Sequence, residues 1–225
     1  MTDMTDMTDM TDMTGNAPRP LREGRPSRVL GDAFFLPRGP LGQIGGWLMA
    51  RNAVQQQELA ELLSTLSPQE VCEIGSGPGL AARLLAERCP ACRIELVEPS
   101  AVMRAQSARR CQAAIGQGRV AIHAGTAEAL PFADARFDLV AAVNNVAMWS
   151  DLEAGLREAR RVLRAGGRIV ISWHAATAPG KVQRGLALSE GQAETLTKAV
   201  GDVFGAVDRR SLTYSTVWEA IVPLT

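Results

Sequence analysis

The part of the chain whose residues most clearly suggest chemistry is a glycine-rich segment preceded by an acid. Gly75, Gly77 and Gly79 recur at alternate positions, directly after a short apolar run that carries Glu73. Glycines so spaced allow a tight strand-to-helix turn in which no side chain keeps a ligand from the backbone. The free N–H groups at the start of the following helix face the same crevice, so the pattern is typical of a nucleotide-cofactor site.

The spacing of the glycines bears on which nucleotide would bind. The dinucleotide fingerprint is G-x-G-x-x-G, whereas this loop is G-x-G-x-G, and Pro78 removes one backbone donor from it. The carboxylate of Glu73 would repel a diphosphate but could attract an ammonium group. Glycine turns also occur for purely structural reasons, so the loop alone leaves that alternative open.

A second acid stands where a ribose-binding carboxylate is expected. Residues 93–98 are rich in strand formers and end on Glu98, which follows Gly79 by 19 residues. This is close to the interval at which an acid meets the ribose diol in nucleotide-binding βαβ units. The alternative is that Glu98 only charges the start of the next helix. With the glycine loop upstream, ribose binding is the favoured interpretation.

Four blocks of sequence together resemble a known family. They are VCEIGSGPG (71–79), ELVEPS (95–100), GTAEALPFADARFDLV (125–140) and LREARRVLRAGGRIVIS (156–172). In this order they are similar to the class I S-adenosylmethionine-dependent methyltransferases, and most similar to the small-molecule branch known as methyltransferase type 11. The resemblance covers residues 68–173 and implies S-adenosylmethionine as the cofactor.

The resemblance also implies a role for each matching residue. Glu73 is expected near the amino group of the cofactor's methionine part and Glu98 at both ribose hydroxyls. The backbone of Ala127 is expected at the adenine edge, while Thr126 stands where many members carry an aspartate that accepts from the adenine amine. The full predicted cofactor set is Glu73, Gly75, Ser76, Gly77, Gly79, Glu98, Pro99, Ser100, Thr126, Ala127, Glu128 and Asn144.

Methyl transfer from a sulfonium asks mainly for alignment in a dry, preorganised pocket. A hydroxyl acceptor would also need a base, and His174, after the fifth predicted strand, is the candidate. A histidine at a strand end can equally be structural, and His123 is expected nearer the adenine edge. Asn144 or Asn145 could hold the cofactor's amino acid end or the acceptor, or could simply satisfy a turn. The single C-x-x-C at residues 89–92 has no second pair, so no metal is predicted.

The elements that must position these residues alternate between strand and helix. This order predicts an α/β, Rossmann-like three-layer sandwich with a seven-stranded, mostly parallel sheet. A C-terminal hairpin, residues 207–214 and 216–222, is expected to insert one antiparallel strand. Other predicted elements are a first core helix at 53–66 and strands at 119–123, 137–143 and 168–173. Capping boxes at Ser150 and Ser189 predict two helix starts, and Gly166-Gly167 is expected to end the first of these helices.

Length and composition fit one such domain with an N-terminal extension. The chain has 225 residues, 46% of them hydrophobic, and a formal net charge of zero, so bulk charge does not favour nucleic acid. Residues 1–33 are predicted to be a disordered leader and Arg/Pro-rich linker, 34–66 an N-terminal arm or lid with the first helix, and 67–225 the methyltransferase domain. No membrane helix or secretory signal is evident, so a cytoplasmic location is expected.

Three functional hypotheses remain open from the sequence. The first is a methyltransferase, monomeric or homodimeric, that acts on a small apolar acceptor and not on nucleic acid or at a membrane. The second is a non-catalytic cofactor-binding or partner protein with the same fold. The third is an NAD(P)-dependent oxidoreductase, which the glycine spacing and Pro78 disfavour.

Overall fold

The computed structural model describes residues 53–224, together with Leu21 and Gly39. Apart from Leu21 and Gly39, the predicted leader and linker and residues 34–52 of the predicted arm lie outside the described residues. The helices are α1 (Ala53–Thr65), α2 (Leu80–Arg88), α3 (Ala101–Arg110), α4 (Gln112–Gly116), α5 (Leu152–Val162), α6 (Lys181–Gly185) and α7 (Glu190–Phe204). The strands are β1 (Glu70–Ile74), β2 (Arg93–Val97), β3 (Val120–His123), β4 (Phe137–Val143), β5 (Leu163–His174), β6 (Val207–Ser211) and β7 (Ser215–Ile221).

In this part of the chain, the seven strands form one sheet in the order β3-β2-β1-β4-β5-β7-β6. All neighbouring pairs are parallel except those of β7, which runs antiparallel to both β5 and β6. The predicted sheet, with a single antiparallel strand from the C-terminal hairpin, is therefore confirmed. From β1, the sheet extends on one side through β2 to β3 and on the other side through β4 to β5, β7 and β6. This reversal opens a crevice at the carboxyl ends of β1, β2 and β4.

Helices cover both faces of the sheet, which confirms the predicted three layers. Because side chains alternate along a strand, β5 sends Ile169 and Ile171 to one face and Val170 to the other. The first face packs against apolar residues of α5 and α7, such as Leu156 and Leu196. The second face packs against α1 and α2. Strands buried on both sides read as nearly continuous apolar runs, which explains why they could be located from sequence.

Two boundaries around α5 differ from the prediction. The N-cap is Asp151, whose carboxylate accepts from the Ala154 amide at 3.0 Å, and not Ser150. The helix ends at Val162 and not at the glycine pair, because Leu163 adopts extended angles and pairs with Phe137 of β4. Gly166 and Gly167 consequently lie within the span of β5.

The second predicted capping box is confirmed at the start of α7. The amide of Gln192 donates to the Ser189 hydroxyl at 3.3 Å, and the Ser189 amide donates to the Gln192 side chain at 3.0 Å. These two bonds satisfy N–H groups that a helix start leaves without partners.

None of the helices in the described residues has the length and apolar character needed to cross a lipid bilayer.

Candidate functional site

The glycine loop joins β1 to α2 at the mouth of the crevice. Gly75, Gly77 and Gly79 all have positive φ, at +61°, +52° and +76°, which L-residues adopt only with strain. A Cβ on Gly75 would lie 2.8 Å from Asn145 Nδ2, and one on Gly79 would lie 2.8 Å from Ser107 Oγ. A Cβ on Gly77 would meet nothing within 4 Å. Two glycines thus permit close packing, while Gly77 faces open space in the crevice.

The amides of the loop are already engaged within the protein. Gly75 N–H donates to Val97 O at 2.7 Å, Ser76 N–H to Val97 O at 3.4 Å, Gly77 N–H to Glu98 Oε2 at 2.9 Å and Gly79 N–H to Ser76 O at 2.9 Å. Pro78 has no N–H to offer. A phosphate cradle needs such amides to point at the ligand. The loop geometry therefore agrees with the sequence interpretation that this is not a pyrophosphate site.

The carbonyls of the same loop are held by α3 and the residue after it. The Ser107 hydroxyl donates to Gly77 O at 2.7 Å, and the Arg110 guanidinium donates to Pro78 O at 2.5 Å. The Cys111 thiol lies 3.6 Å from Gly79 O. With both its N–H groups and its carbonyls engaged, the loop is a rigid, preorganised wall of the crevice.

Glu98, directly after β2, connects the loop to the neighbouring turn. Only 5% of the residue is exposed, and its two oxygens accept from Gly77 N–H at 2.9 Å and Ser100 N–H at 2.8 Å. Burial raises the pKa of Glu98, although these two hydrogen bonds and Arg104 oppose the rise. A carboxylate has about four lone-pair sites, so Glu98 can hold the loop and still accept from a pair of ligand hydroxyls.

Glu73 lies within β1, one strand away from Glu98, and is also 5% exposed. Burial, with a smaller contribution from the charge of Glu98, raises its pKa to about 8. Among the described residues, none is hydrogen-bonded to the Glu73 carboxyl. A buried carboxyl without an internal partner is costly unless a ligand supplies one. An ammonium group in the crevice would do so.

The segment after β3 forms the wall beyond Glu98. Ala127 is buried and Thr126 is exposed, and an isolated bridge pairs Thr126 with Ala129. Glu128 accepts from the backbone and hydroxyl of Ser150 at 2.7 and 2.9 Å and from Asp151 N–H at 3.2 Å. Burial alone would raise the pKa of Glu128, but hydrogen bonds from its own backbone, from the Asp151 backbone and from the Ser150 and Thr126 side chains lower it. Glu128 thus secures the start of α5, and its contact with a cofactor stays a prediction.

The part of the chain that contains the glycine loop, Glu73 and Glu98 is similar to known proteins. Residues 72–171 match a family described as a methyltransferase domain. In this region the chain is similar to methyltransferase domains.

Two similar proteins are both named demethylmenaquinone methyltransferase. The one from Thermotoga maritima is 32% identical over 116 residues, which cover 52% of this chain and 48% of that protein. The one from Deinococcus radiodurans is 34% identical over 131 residues, covering 58% and 50% respectively. This chain thus spans about half the length of these curated relatives.

Solved structures of low sequence identity share the fold. A structure titled a SAM dependent methyltransferase from Aquifex aeolicus has a TM-score of 0.62 at 13% identity and covers 80% of this chain and 98% of that one. The structure of the [4+2]-cyclase SpnF has a TM-score of 0.61 at 18% identity and covers 75% and 82%. The methyltransferase fold is therefore clear, while at these identities the reaction has to be argued from the site.

Asn144, directly after β4, does not have a free side chain. It adopts a positive φ of +54°, and its amide makes two hydrogen bonds with Gln55 of α1, at 3.1 and 2.8 Å. Gln55 is 1% exposed and was missed by sequence reasoning. It could have been recognised as a polar residue on the buried face of the helix, because it precedes the buried Leu59 by one helical turn.

Asn145 projects instead toward the glycine loop. Its Nδ2 donates to Ile74 O at 2.6 Å and Gly75 O at 3.2 Å, and its Oδ1 accepts from Trp149 Nε1 at 2.9 Å. The sequence pattern favours Asn144 over Asn145 as a cofactor contact, but the directions of the two side chains depend on the turn at Asn144.

His174 ends β5 and faces Ser215 of β7 in the antiparallel ladder. Because side chains alternate along a strand, His174 lies on the same face of the sheet as Val170. Glu73 in turn lies on the same face as Val71. Both valines pack in the cluster formed with α1 and α2. His174 and Glu73 therefore lie on one side of the sheet, with β4 between their strands.

His123 has a structural environment on β3. Its Nε2 lies 2.6 Å from a carboxylate oxygen of Glu95, and its ring packs edge-on against Phe132 with centroids 5.0 Å apart. Within residues 53–224, no cluster of three or more His, Cys, Asp or Glu side chains could hold a metal ion. The four cysteines are free thiols.

Proposed function

We propose that the protein transfers a methyl group from S-adenosylmethionine to a small, apolar acceptor by in-line displacement. The observation that carries the proposal is the pair of buried acids, Glu73 and Glu98, beside a glycine loop whose own amides are engaged. Among the residues that the structure describes, Glu73 has no hydrogen-bond partner and suits an ammonium group, while Glu98 has lone pairs left for the ribose hydroxyls.

The residues of the crevice fit the parts of the cofactor in chain order. Gly77 leaves room for the methionine part beside Glu73, and Glu98 with Pro99 and Ser100 flanks the adenosine. At the far wall, Thr126 and Ala127 would meet the adenine edge. The Thr126 hydroxyl is hydrogen-bonded to Glu128, yet its oxygen can still accept from the adenine amine.

The chemistry that the cofactor supplies when bound is an activated methyl group on a positively charged sulfur. The protein has to align this group with the acceptor and to exclude water. The rigid loop and the buried acids provide that alignment on the cofactor side. No nucleophile on the protein is required.

An apolar acceptor would be met by exposed apolar side chains on the segments next to the carboxyl edge of the sheet. Val54 in the first turn of α1, Met148 in the turn after β4 and Val182 in α6 are 40%, 38% and 74% exposed. These residues belong to segments that adjoin the carboxyl edge of the sheet. Exposed apolar side chains near one site are typical of a surface that binds an apolar partner. The two relatives named demethylmenaquinone methyltransferases support a small-molecule acceptor.

For a hydroxyl acceptor, we propose His174 as the base, because it lies on the same sheet face as Glu73. Its replacement by alanine should then lower turnover by about 10²- to 10⁴-fold without changing cofactor affinity. His123→Ala serves as the matched control, because that ring contacts Glu95 and Phe132. Unchanged turnover of the true acceptor in the His174 variant would remove it from the mechanism.

The experiment that tests the function is transfer of a radiolabelled methyl group into a cell extract. Purified protein, extract and labelled S-adenosylmethionine should give a product heavier by one CH₂ in mass spectrometry, and Glu98→Ala should abolish it. Cofactor binding without transfer into any component would instead favour the non-catalytic alternative. A cytoplasmic location, a monomeric or homodimeric state and the absence of a nucleic-acid partner remain predictions.

A further inference from the structure

We infer that Asn145 is a positioning residue, whose side-chain amide sets the methionine-side loop and whose own orientation is fixed by Trp149. The inference rests on the proposed function, since the loop is taken to hold the methionine part of the cofactor. Asn145 is 8% exposed and Trp149 is 6% exposed, so both groups act from within the protein.

The amide of Asn145 contacts the point at which β1 becomes the loop. Its Nδ2 lies 2.6 Å from Ile74 O, the last residue of β1, and 3.2 Å from Gly75 O, the first residue of the loop. It also lies 3.3 Å from Val143 O at the end of β4. One side-chain amide therefore donates to the ends of two neighbouring strands and to the loop.

A side chain is needed here because the backbone ladder stops. The pairing of β1 with β4 ends at Ile74 and Ala142. Two residues later the chain turns aside at Asn144, with a φ of +54°. Buried carbonyls beyond that point require another donor. The amide of Asn145 supplies it and carries the strand pairing into the loop.

Gly75 and Asn145 are matched to each other. A Cβ at position 75 would lie 2.8 Å from Asn145 Nδ2 and 2.9 Å from its Cγ. Only a glycine therefore lets the amide reach the loop carbonyl. The requirement for glycine at this position is explained by the asparagine as well as by the positive φ of +61°.

Trp149 determines which way the amide of Asn145 points. The indole N–H can only donate, so the oxygen of the amide must face it and the nitrogen must face the loop. The ring of Trp149 is itself fixed, because a Cβ on Gly155 would lie 2.5 Å from one of its carbons. The same Cβ would lie 3.2 Å from Ala127, on the adenine side of the site. The pair thus joins the methionine-side loop to the wall beyond it.

The test compares two ligands that differ only at the methionine end. S-Adenosylhomocysteine carries the amino acid group, whereas 5′-methylthioadenosine lacks it. In Asn145→Asp the oxygen facing Trp149 is kept, but the donor to Ile74 O and Gly75 O is replaced by an acceptor. The Kd of S-adenosylhomocysteine should rise by about 10- to 100-fold, while that of 5′-methylthioadenosine should change by less than about threefold.

A second variant, Trp149→Phe, keeps an aromatic ring and removes the indole N–H together with the rest of the five-membered ring. It should also raise the Kd of S-adenosylhomocysteine more than that of 5′-methylthioadenosine, but by a smaller factor than Asn145→Asp does. It keeps the inference testable if Asn145→Asp does not fold. Trp218→Phe is its matched control, because that indole donates to Thr197 at 2.8 Å, away from the crevice. The control should not change the ratio of the two dissociation constants.

The outcomes separate the inference from the proposed function. If the Asn145 and Trp149 variants lose affinity equally for both ligands, or for neither, the positioning role is overturned and the proposed function is unaffected. A wild-type protein that binds neither ligand would overturn both.

Discussion

The buried acid in β1 gives the most specific prediction, which is that cofactor binding releases a proton from Glu73. Burial raises the pKa of this carboxyl to about 8, so about 0.9 of it is protonated at pH 7. An ammonium group placed against it favours the ionised form and expels that proton. Binding of S-adenosylhomocysteine should therefore release about 0.9 proton at pH 7, and Glu73→Gln should release close to none.

The proton count can be measured by isothermal titration calorimetry at pH 7 in two buffers with different ionisation enthalpies. The difference between the two binding enthalpies gives the number of protons that the buffer takes up. 5′-Methylthioadenosine provides a control in the unaltered protein, because it lacks the ammonium group and should release no proton from Glu73. Wild-type protein that binds S-adenosylhomocysteine without releasing a proton, or a Glu73→Gln variant that releases as many, would refute this reasoning.

The same pKa also predicts how the stability of the ligand-free protein depends on pH. Because the folded state raises the pKa of Glu73 from 4.5 to about 8, it holds the proton more tightly than the unfolded state does. The stabilising contribution is complete below about pH 4.5 and is lost as the pH rises through about 8, by at most about 5 kcal/mol. Urea denaturation of wild type and Glu73→Gln across this range measures it, and parallel pH profiles for the two proteins would argue against it.

Two further predictions concern the loop and the ribose site. Gly77→Ala should lower the free energy of unfolding by about 1 kcal/mol, because residue 77 has a positive φ. It should also weaken the binding of S-adenosylhomocysteine at least about tenfold, since the added methyl group enters open space in the crevice. Gly75→Ala should instead lower the free energy of unfolding by about 2–4 kcal/mol, because its Cβ meets Asn145 at 2.8 Å. Urea denaturation measures the stability of each variant and calorimetry its affinity for S-adenosylhomocysteine. Identical behaviour of the two variants would contradict the different roles assigned to Gly75 and Gly77. Glu98→Gln should raise the Kd of both S-adenosylhomocysteine and 5′-methylthioadenosine by about 100-fold, since both contain the ribose, and a change confined to one ligand would count against ribose binding.

Much of the fold could be predicted because its signals are local. The fourth predicted strand, residues 137–143, coincides with β4, and the predicted helix start at Ser189 coincides with the start of α7. Both rest on apolar periodicity and on capping residues. The end of α5 could not be predicted, since Leu163 leaves the helix to pair with Phe137, more than twenty residues earlier in the chain. Likewise, Ser150 fits the capping-box pattern, but Glu128 takes its hydroxyl and Asp151 caps the helix.

The candidate site divides in the same way between local and long-range information. The glycine loop and Glu98 follow from spacing within one βαβ unit, so sequence reasoning located them. The different roles of Asn144 and Asn145 could not be predicted, because a single turn directs one amide to Gln55 and the other to the loop. The burial that raises the pKa of Glu73 was also beyond the sequence, since it comes from helices packed over the sheet.

The most direct test of the central claim is a calorimetric comparison of S-adenosylmethionine with NADH on the same protein. The occupied amides of the loop and the two buried acids predict saturable binding of S-adenosylmethionine, weakened by Glu98→Gln, and no binding of NADH. Tight binding of NADH without binding of S-adenosylmethionine would contradict the account.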